Sequence, residues 1–328
     1  MKVPTDGTSV YNAITYTGDG TANRTVSTTI QPDLLIQMNP SGNDHDTIDR
    51  LRGVTRTLYT NLTYADDYNT NVNKMLSSMT NTGFVTGSDG SNYWNASGQS
   101  KGAWAFRRAP GFFDEVCYDG LRAINNTTPQ AVSHNLGVSP ELVIVKCRSA
   151  STISSTATNW SVCTVLNGTY SNRGYLNTTD SFGFTNNLDP SNGGAVSASS
   201  ITFGYGDART NATGNTYVAY LFATCPGVQY INSYVGDGTT GRTINCGFTG
   251  GARFVCIKAT STTGSWWTFD SARGIVTNND PALQLNSTAA EVTSADAIDT
   301  ASSGFIVNQE STCSLNASGV SYLVWAIA

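Results

Sequence analysis

Charge is what this chain has least of. Only 12% of its 328 residues are charged, against about a quarter in an ordinary globular domain. Lys and Arg number 18 and Asp and Glu 23, for a net charge of −5. Without a basic cluster nothing would release counterions from a phosphate backbone, so nucleic acid is excluded as a partner. Histidine is nearly missing too: His45 and His134 have no partner at metal-ligand spacing, so neither a metal nor a cofactor is expected. No Gly-x-Ser-x-Gly elbow supports a serine nucleophile. Seven cysteines form no Cys-x-x-Cys pair and read as reduced, small hydrophobes, in keeping with synthesis in a reducing cytoplasm. No apolar run reaches the length of a membrane span, and the start lacks a signal-peptide apolar region, so neither membrane insertion nor ordinary secretion is expected.

What fills the chain is Gly, Ser, Thr and Asn, which favour turns and strands over helix interiors. With 39% hydrophobic and 10% aromatic residues, a packed core is available and disorder is excluded. The composition is that of an all-β protein rich in loops.

One stretch occurs three times. Asn95-Ala96-Ser97-Gly98 leads into Ala103-Trp104-Ala105-Phe106; Asn211-Ala212-Thr213-Gly214 leads into Ala219-Tyr220-Leu221-Phe222; Asn316-Ala317-Ser318-Gly319 leads into Val324-Trp325-Ala326-Ile327. The spacings, 95 to 211 and 211 to 316, are too long for a solenoid unit and fit a small domain repeated three times. The expected domains are 1–113, 114–229 and 230–328, each a jelly-roll-like β-sandwich of seven or eight strands, with Pro110-Gly111 and Pro226-Gly227 as linkers.

Other landmarks align with the closing motif. Each repeat opens on a Tyr-Gly turn at Tyr16, Tyr118 and Tyr234. A buried strand follows at Leu34-Leu35-Ile36, Leu142-Val143-Ile144-Val145 and Phe254-Val255-Cys256-Ile257. Asp49-Arg50-Leu51-Arg52-Gly53 matches Asp270-Ser271-Ala272-Arg273-Gly274, whereas the middle copy reads Leu166-Asn167-Gly168. A Gly-Phe strand is expected at Gly83-Phe84, Gly183-Phe184 and Gly304-Phe305. Only Leu58 to Met79 is ambiguous with helix, and its Asn and Thr content opposes one.

The three Asn-x-Ser/Thr sequences imitate glycosylation signals, but the expected role is a turn, with Gly98, Gly214 and Gly319 left-handed. Trp104, Tyr220 and Trp325 are expected in the core. Loop aromatics Tyr93, Trp94, Tyr205, Trp266 and Trp267 are the candidates for ligand contact. The acidic groups Asp44, Asp46, Asp49 and Asp114-Glu115 could serve glycosidase chemistry or calcium, but none recurs in all repeats, and solvated loops are expected to hold them. Arg107-Arg108 reads as a solvated strand end.

Together, Ser133-His134-Asn135-Leu136-Gly137-Val138-Ser139-Pro140, Phe269-Asp270-Ser271-Ala272-Arg273-Gly274 and the three closing strands resemble the repeated β-sandwich domain of tail-fibre and other virion proteins of tailed bacteriophages, marine phages and cyanophages among them. The resemblance covers nearly the whole chain. It implies a non-enzymatic structural protein of the virion, made in the host cytoplasm, with other virion proteins of tail or capsid as partners and a host surface glycan or protein as target. The first repeat opens about 15 residues after Met1, which is expected to leave no room for a separate anchoring domain or trimeric shaft. The leading expectation is a tail-fibre or tail-associated adhesion component; capsid decoration comes second, and a polysaccharide depolymerase third. Such a chain is expected to form a homotrimer or to fold as a pseudo-threefold monomer. Function is expected where the repeats differ, in loops 43–49, 187–200 and 260–265.

Overall fold

In the computed structural model, which describes residues 2–68, 75–87, 93–123, 126–149 and 158–328, the chain is an all-β protein. Each repeat is a sandwich of one large and one three-stranded antiparallel sheet. Among the described residues each repeat contributes nine strands.

The large sheets share one order: opening strand, closing strand, then the buried strand and its followers. In repeat 1 these are Tyr11–Thr17, Ser100–Phe106, Leu34–Met38 and Asp46–Asp49; in repeat 2, Phe113–Asp119, Thr216–Phe222, Leu142–Cys147 and Ser161–Leu166; in repeat 3, Gln229–Val235, Ser321–Ile327, Phe254–Ala259 and Trp266–Asp270. The register is the same each time: Trp104 lies between Ala13 and Ile36, Tyr220 between Glu115 and Ile144, and Trp325 between Ile231 and Cys256.

The closing strands are apolar on both faces because both faces are covered. Side chains alternate along a strand, so Ala103 and Ala105, Tyr217, Ala219 and Leu221, and Tyr322, Val324 and Ala326 point into the three separate sandwich cores. The alternate set, Trp104 and Phe106, Val218, Tyr220 and Phe222, and Leu323, Trp325 and Ile327, enters one core shared by all three repeats. There the Phe222 and Trp325 ring centroids lie 4.5 Å apart, Phe106 and Trp325 5.5 Å, and Phe106 and Phe222 6.0 Å. The three closing strands, one from each repeat, thus meet in a single core.

Repeat 2 corrects two alignments. The strand matching Gly83–Thr86 and Gly304–Val307 is Ser200–Phe203, which pairs with Gln130–Ser133 as the others pair with Thr25–Ser27 and Arg242–Asn245. Phe184 instead bridges to Arg173 and stays exposed. The residue facing Leu142, as Asp49 faces Leu34 and Asp270 faces Phe254, is Thr164; Leu166-Asn167-Gly168 only ends a longer strand, with Asn167 and Gly168 at positive φ in a hairpin. Between Leu58 and Met79 the described residues form short strands joined by a turn and a loop, with no helix among them; residues 69–74 of that stretch lie outside the description.

Candidate functional site

The repeated Asn is a clamp. Asn95 Nδ2 donates to Asp19 Oδ1 (2.7 Å) and the Thr21 carbonyl (2.9 Å), while its Oδ1 accepts from the Asp19 amide and Arg24 Nη1. Asn316 repeats the set with Asp237 (2.7 Å), Thr239 (2.8 Å) and Arg242. Hydrogen bonds from Thr21 and Thr239 hold both carboxyls low, at about 2. Tyr16 and Tyr234 complete the turn by donating to the carbonyls of Trp94 and Leu315, each at 2.6 Å. Gly18, Gly120 and Gly236 lie so near the facing strand that a Cβ would meet the carbonyl oxygen of Ala96, Ala212 or Ala317 at 2.0, 2.1 or 2.2 Å. In repeat 2 Leu121 stands where Asp19 and Asp237 stand, so Asn211 Oδ1 turns to the Asp207 amide at 2.9 Å. Gly98, Gly214 and Gly319 take positive φ of 73°, 84° and 78°. All three asparagines are buried, which keeps their side-chain amides away from solvent.

The seams between repeats form a second repeated device. Asp66 N donates to the Arg148 carbonyl (2.7 Å), Phe182 N to Thr260 (2.8 Å) and Glu291 N to Pro40 (2.9 Å), an equivalent bond at each seam and in the same rotational sense; the seam holding Phe182 adds Gly264 N to the Thr179 carbonyl (2.8 Å). Trp160 Nε1 donates to the Tyr59 carbonyl (2.8 Å) and Trp266 Nε1 to the Tyr175 carbonyl (2.9 Å). His45 holds the equivalent place in repeat 1, against the Gln284 backbone, and burial pushes its pKa down to about 4. Its Nδ1 lies 3.2 Å from the Gln37 carbonyl; its Nε2 makes no bond of hydrogen-bonding geometry.

The Asp-x-x-Arg turns serve these seams. Asp49 pairs with Arg52, which also reaches Asp66 at 3.1 Å, and Tyr220 of repeat 2 donates to Asp49 Oδ2 at 2.6 Å. Asp270 pairs with Arg273, which reaches Glu291 at 2.9 Å, and Trp104 of repeat 1 donates to Asp270 Oδ2 at 3.0 Å. The third seam breaks the pattern. Thr164 and Phe182 replace the carboxylates, Phe182 packs near Trp266 with centroids 6.1 Å apart, and Trp325 Nε1 turns to Gln229 Oε1 at 2.9 Å within its own repeat. Lys146 and Lys258 cross two seams to the carbonyls of Thr63 and Thr179, while Met38 takes their place in repeat 1.

The loop-aromatic expectation does not survive intact. Trp94, Trp266 and Trp267 are buried, because Trp266 seals a seam, Trp94 packs edge-on to Phe84, and Trp267 belongs to the third sandwich core. Trp267 also lines a cavity of about 90 Å³ beside loop residues Thr262 to Ser265 and Cys313. Tyr93 is 50% exposed and Tyr205 half-buried, on different repeats. The solvated-loop reading of the acids is also corrected: Asp46, Asp49, Asp114 and Glu115 are buried on or beside the large sheets. Burial pushes Asp46 up to about 7 and Glu115 well above the usual carboxylate range. Asp114 accepts from Arg108 Nε at 2.6 Å, so this arginine is bound rather than free at a strand end. His134 accepts from the Leu136 amide through Nδ1 at 3.2 Å, a loop role. Nothing in the sequence signalled the seams except the Asp-x-x-Arg repeat and its loss in the middle copy.

The chain belongs to a family described as a domain of unknown function (DUF7483), whose match spans residues 6–328. No curated protein and no solved structure matches it.

Proposed function

We propose that this chain is a non-enzymatic structural protein of a tailed-phage virion, a tail-associated adhesion component that meets the host surface through the loops of its sandwiches. The observation that carries the reading is the shared core: three like sandwiches are fixed about one axis within a single chain, a form suited to capping a threefold partner with one copy. The resemblance of the closing strands to virion repeat domains supplies the setting. Capsid decoration is the second reading, and the same pseudo-threefold symmetry favours it, since capsids present local threefold positions. Antibody labelling of intact virions tests both. Label at the tail tip supports adhesion, label over capsomers replaces it with decoration, and virions without label overturn the virion assignment.

A further inference from the structure

Repeat 2 departs from the common plan along one edge, and the departure gathers a polar cluster in a place that is apolar or small elsewhere. Arg173 stands where repeats 1 and 3 have Thr57 and Ala282, by register with the neighbouring strand. Its Nη1 donates to Asp207 Oδ2 (3.1 Å) and Asn187 Oδ1 (3.2 Å). Arg209 pairs with the other oxygen of the same carboxylate at 3.4 Å. Two guanidinium groups therefore share the one carboxylate of Asp207, and half of their charge has no counterpart within the cluster.

Most of the buried atoms that lack a partner here are donors; the exception is the Tyr175 hydroxyl, which can accept as well as donate. Arg173 Nε, Arg209 Nε and Asn211 Nδ2 make no hydrogen bond, although Arg173 and Asn211 are more than nine-tenths buried. An arginine Nε–H or an amide NH₂ can only be completed by an acceptor, and an orphan donor of this kind costs about 1–3 kcal/mol. Beside these donors stands an aromatic wall. The Arg173 and Arg209 guanidinium carbons lie 5.7 and 5.6 Å from the Tyr175 ring centroid. Phe184 packs on the same ring at 4.7 Å and is 40% exposed, while half-buried Tyr205 is near enough to Arg173 to feel its charge.

We propose that this edge of repeat 2 binds a carboxylated sugar, a hexuronate residue of a surface glycan. Its carboxylate would be taken by the Arg209 guanidinium, whose side chain is 27% exposed and stands over the buried Arg173 charge, and its ring would lie against Phe184 and Tyr205. An anion answers the unbalanced charge of the two guanidinium groups; the apolar C–H face of a pyranose chair answers the exposed aromatic face. The inference deepens the host-contact reading by naming a ligand class, yet the two fail separately: glucuronate binding by a chain found on capsomers would retain this site and remove the tail assignment.

Calorimetric titration of the full chain with D-glucuronate, D-glucose, acetate and inorganic phosphate tests it. Expected is binding of glucuronate with Kd of about 5 mM or tighter, and at least tenfold weaker binding of glucose and acetate. Arg209→Gln should weaken glucuronate about tenfold, and Phe184→Ala, at an exposed position, at least threefold with an unchanged melting temperature. Absence of glucuronate binding overturns the proposal. So does equal binding of acetate or phosphate, which would mean a bare anion site, and so does indifference to Phe184→Ala, which keeps the test decisive should Arg209→Gln fail to fold.

Discussion

Asn95 and Asn316 each make four hydrogen bonds that tie the closing turn to the opening one. Replacing either with Ala strands several partners at once and is expected to cost about 2–4 kcal/mol in urea unfolding; a loss under 1 kcal/mol would show that the clamp is dispensable. Asn211→Ala, whose equivalent carboxylate is missing, should cost less. Asp46 supplies a pH signature at the same scale. Its folded pKa is raised by burial to about 7, so the folded state holds the proton more tightly than the unfolded chain. Its contribution is therefore complete below pH 4 and is lost as pH rises through 7. Wild type should lose on the order of 1–3 kcal/mol between pH 5 and pH 8 relative to Asp46→Asn; parallel stability profiles would contradict this. The sequence showed Asn-x-Ser/Thr-Gly as a turn, because Asn and Gly in that order have local preferences. It did not show which atoms the Asn holds, because those partners lie more than seventy residues away.

The closing strand belongs to two cores, and its double apolar pattern said so before any coordinates: Tyr217-Val218-Ala219-Tyr220-Leu221-Phe222 leaves no wet face. What lay opposite each face was hidden, since alternation reports burial and not the identity of the cover. The loop aromatics were misjudged for the same reason, as Trp266 and Trp267 open a strand and read as loop residues until the neighbouring repeat closes over the first and the third sandwich core over the second. Along the shared core Ile36, Ile144 and Cys256 occupy equivalent places and line an apolar cavity of about 30 Å³ together with Trp160 and Trp266. An apolar cavity of this size stays dry, so Cys256→Val should fill part of it and raise stability by about 0.5–1 kcal/mol. A lowered melting temperature would mean that the strand has no room to give.

Across the whole molecule the three repeats stand or fall together. The faces of Trp104, Tyr220 and Trp325 meet in one core, so a chain cut after Thr224 would expose the inner faces of repeats 1 and 2 and is expected to aggregate or self-associate. The full chain should run as a monomer by light scattering and unfold in one transition; a stable homotrimer, or separate transitions for separate repeats, would argue against a continuous core. The all-β sandwich class was legible in the composition and the repeated strand. Ring closure was not, because it depends on single residues such as Glu291 and Pro40 meeting across the chain. The interrupted Asp-x-x-Arg pattern gives each neighbour relation its own chemistry. Two joints are ionic, with Tyr220 donating into one and Trp104 into the other; the third is aliphatic and aromatic around Phe182. A repeat placed out of order would press a buried carboxylate against Phe182 or leave Asp49 without Tyr220. The middle copy's departure therefore fixes the cyclic order, so that modules of one architecture assemble around the axis in one sequence only.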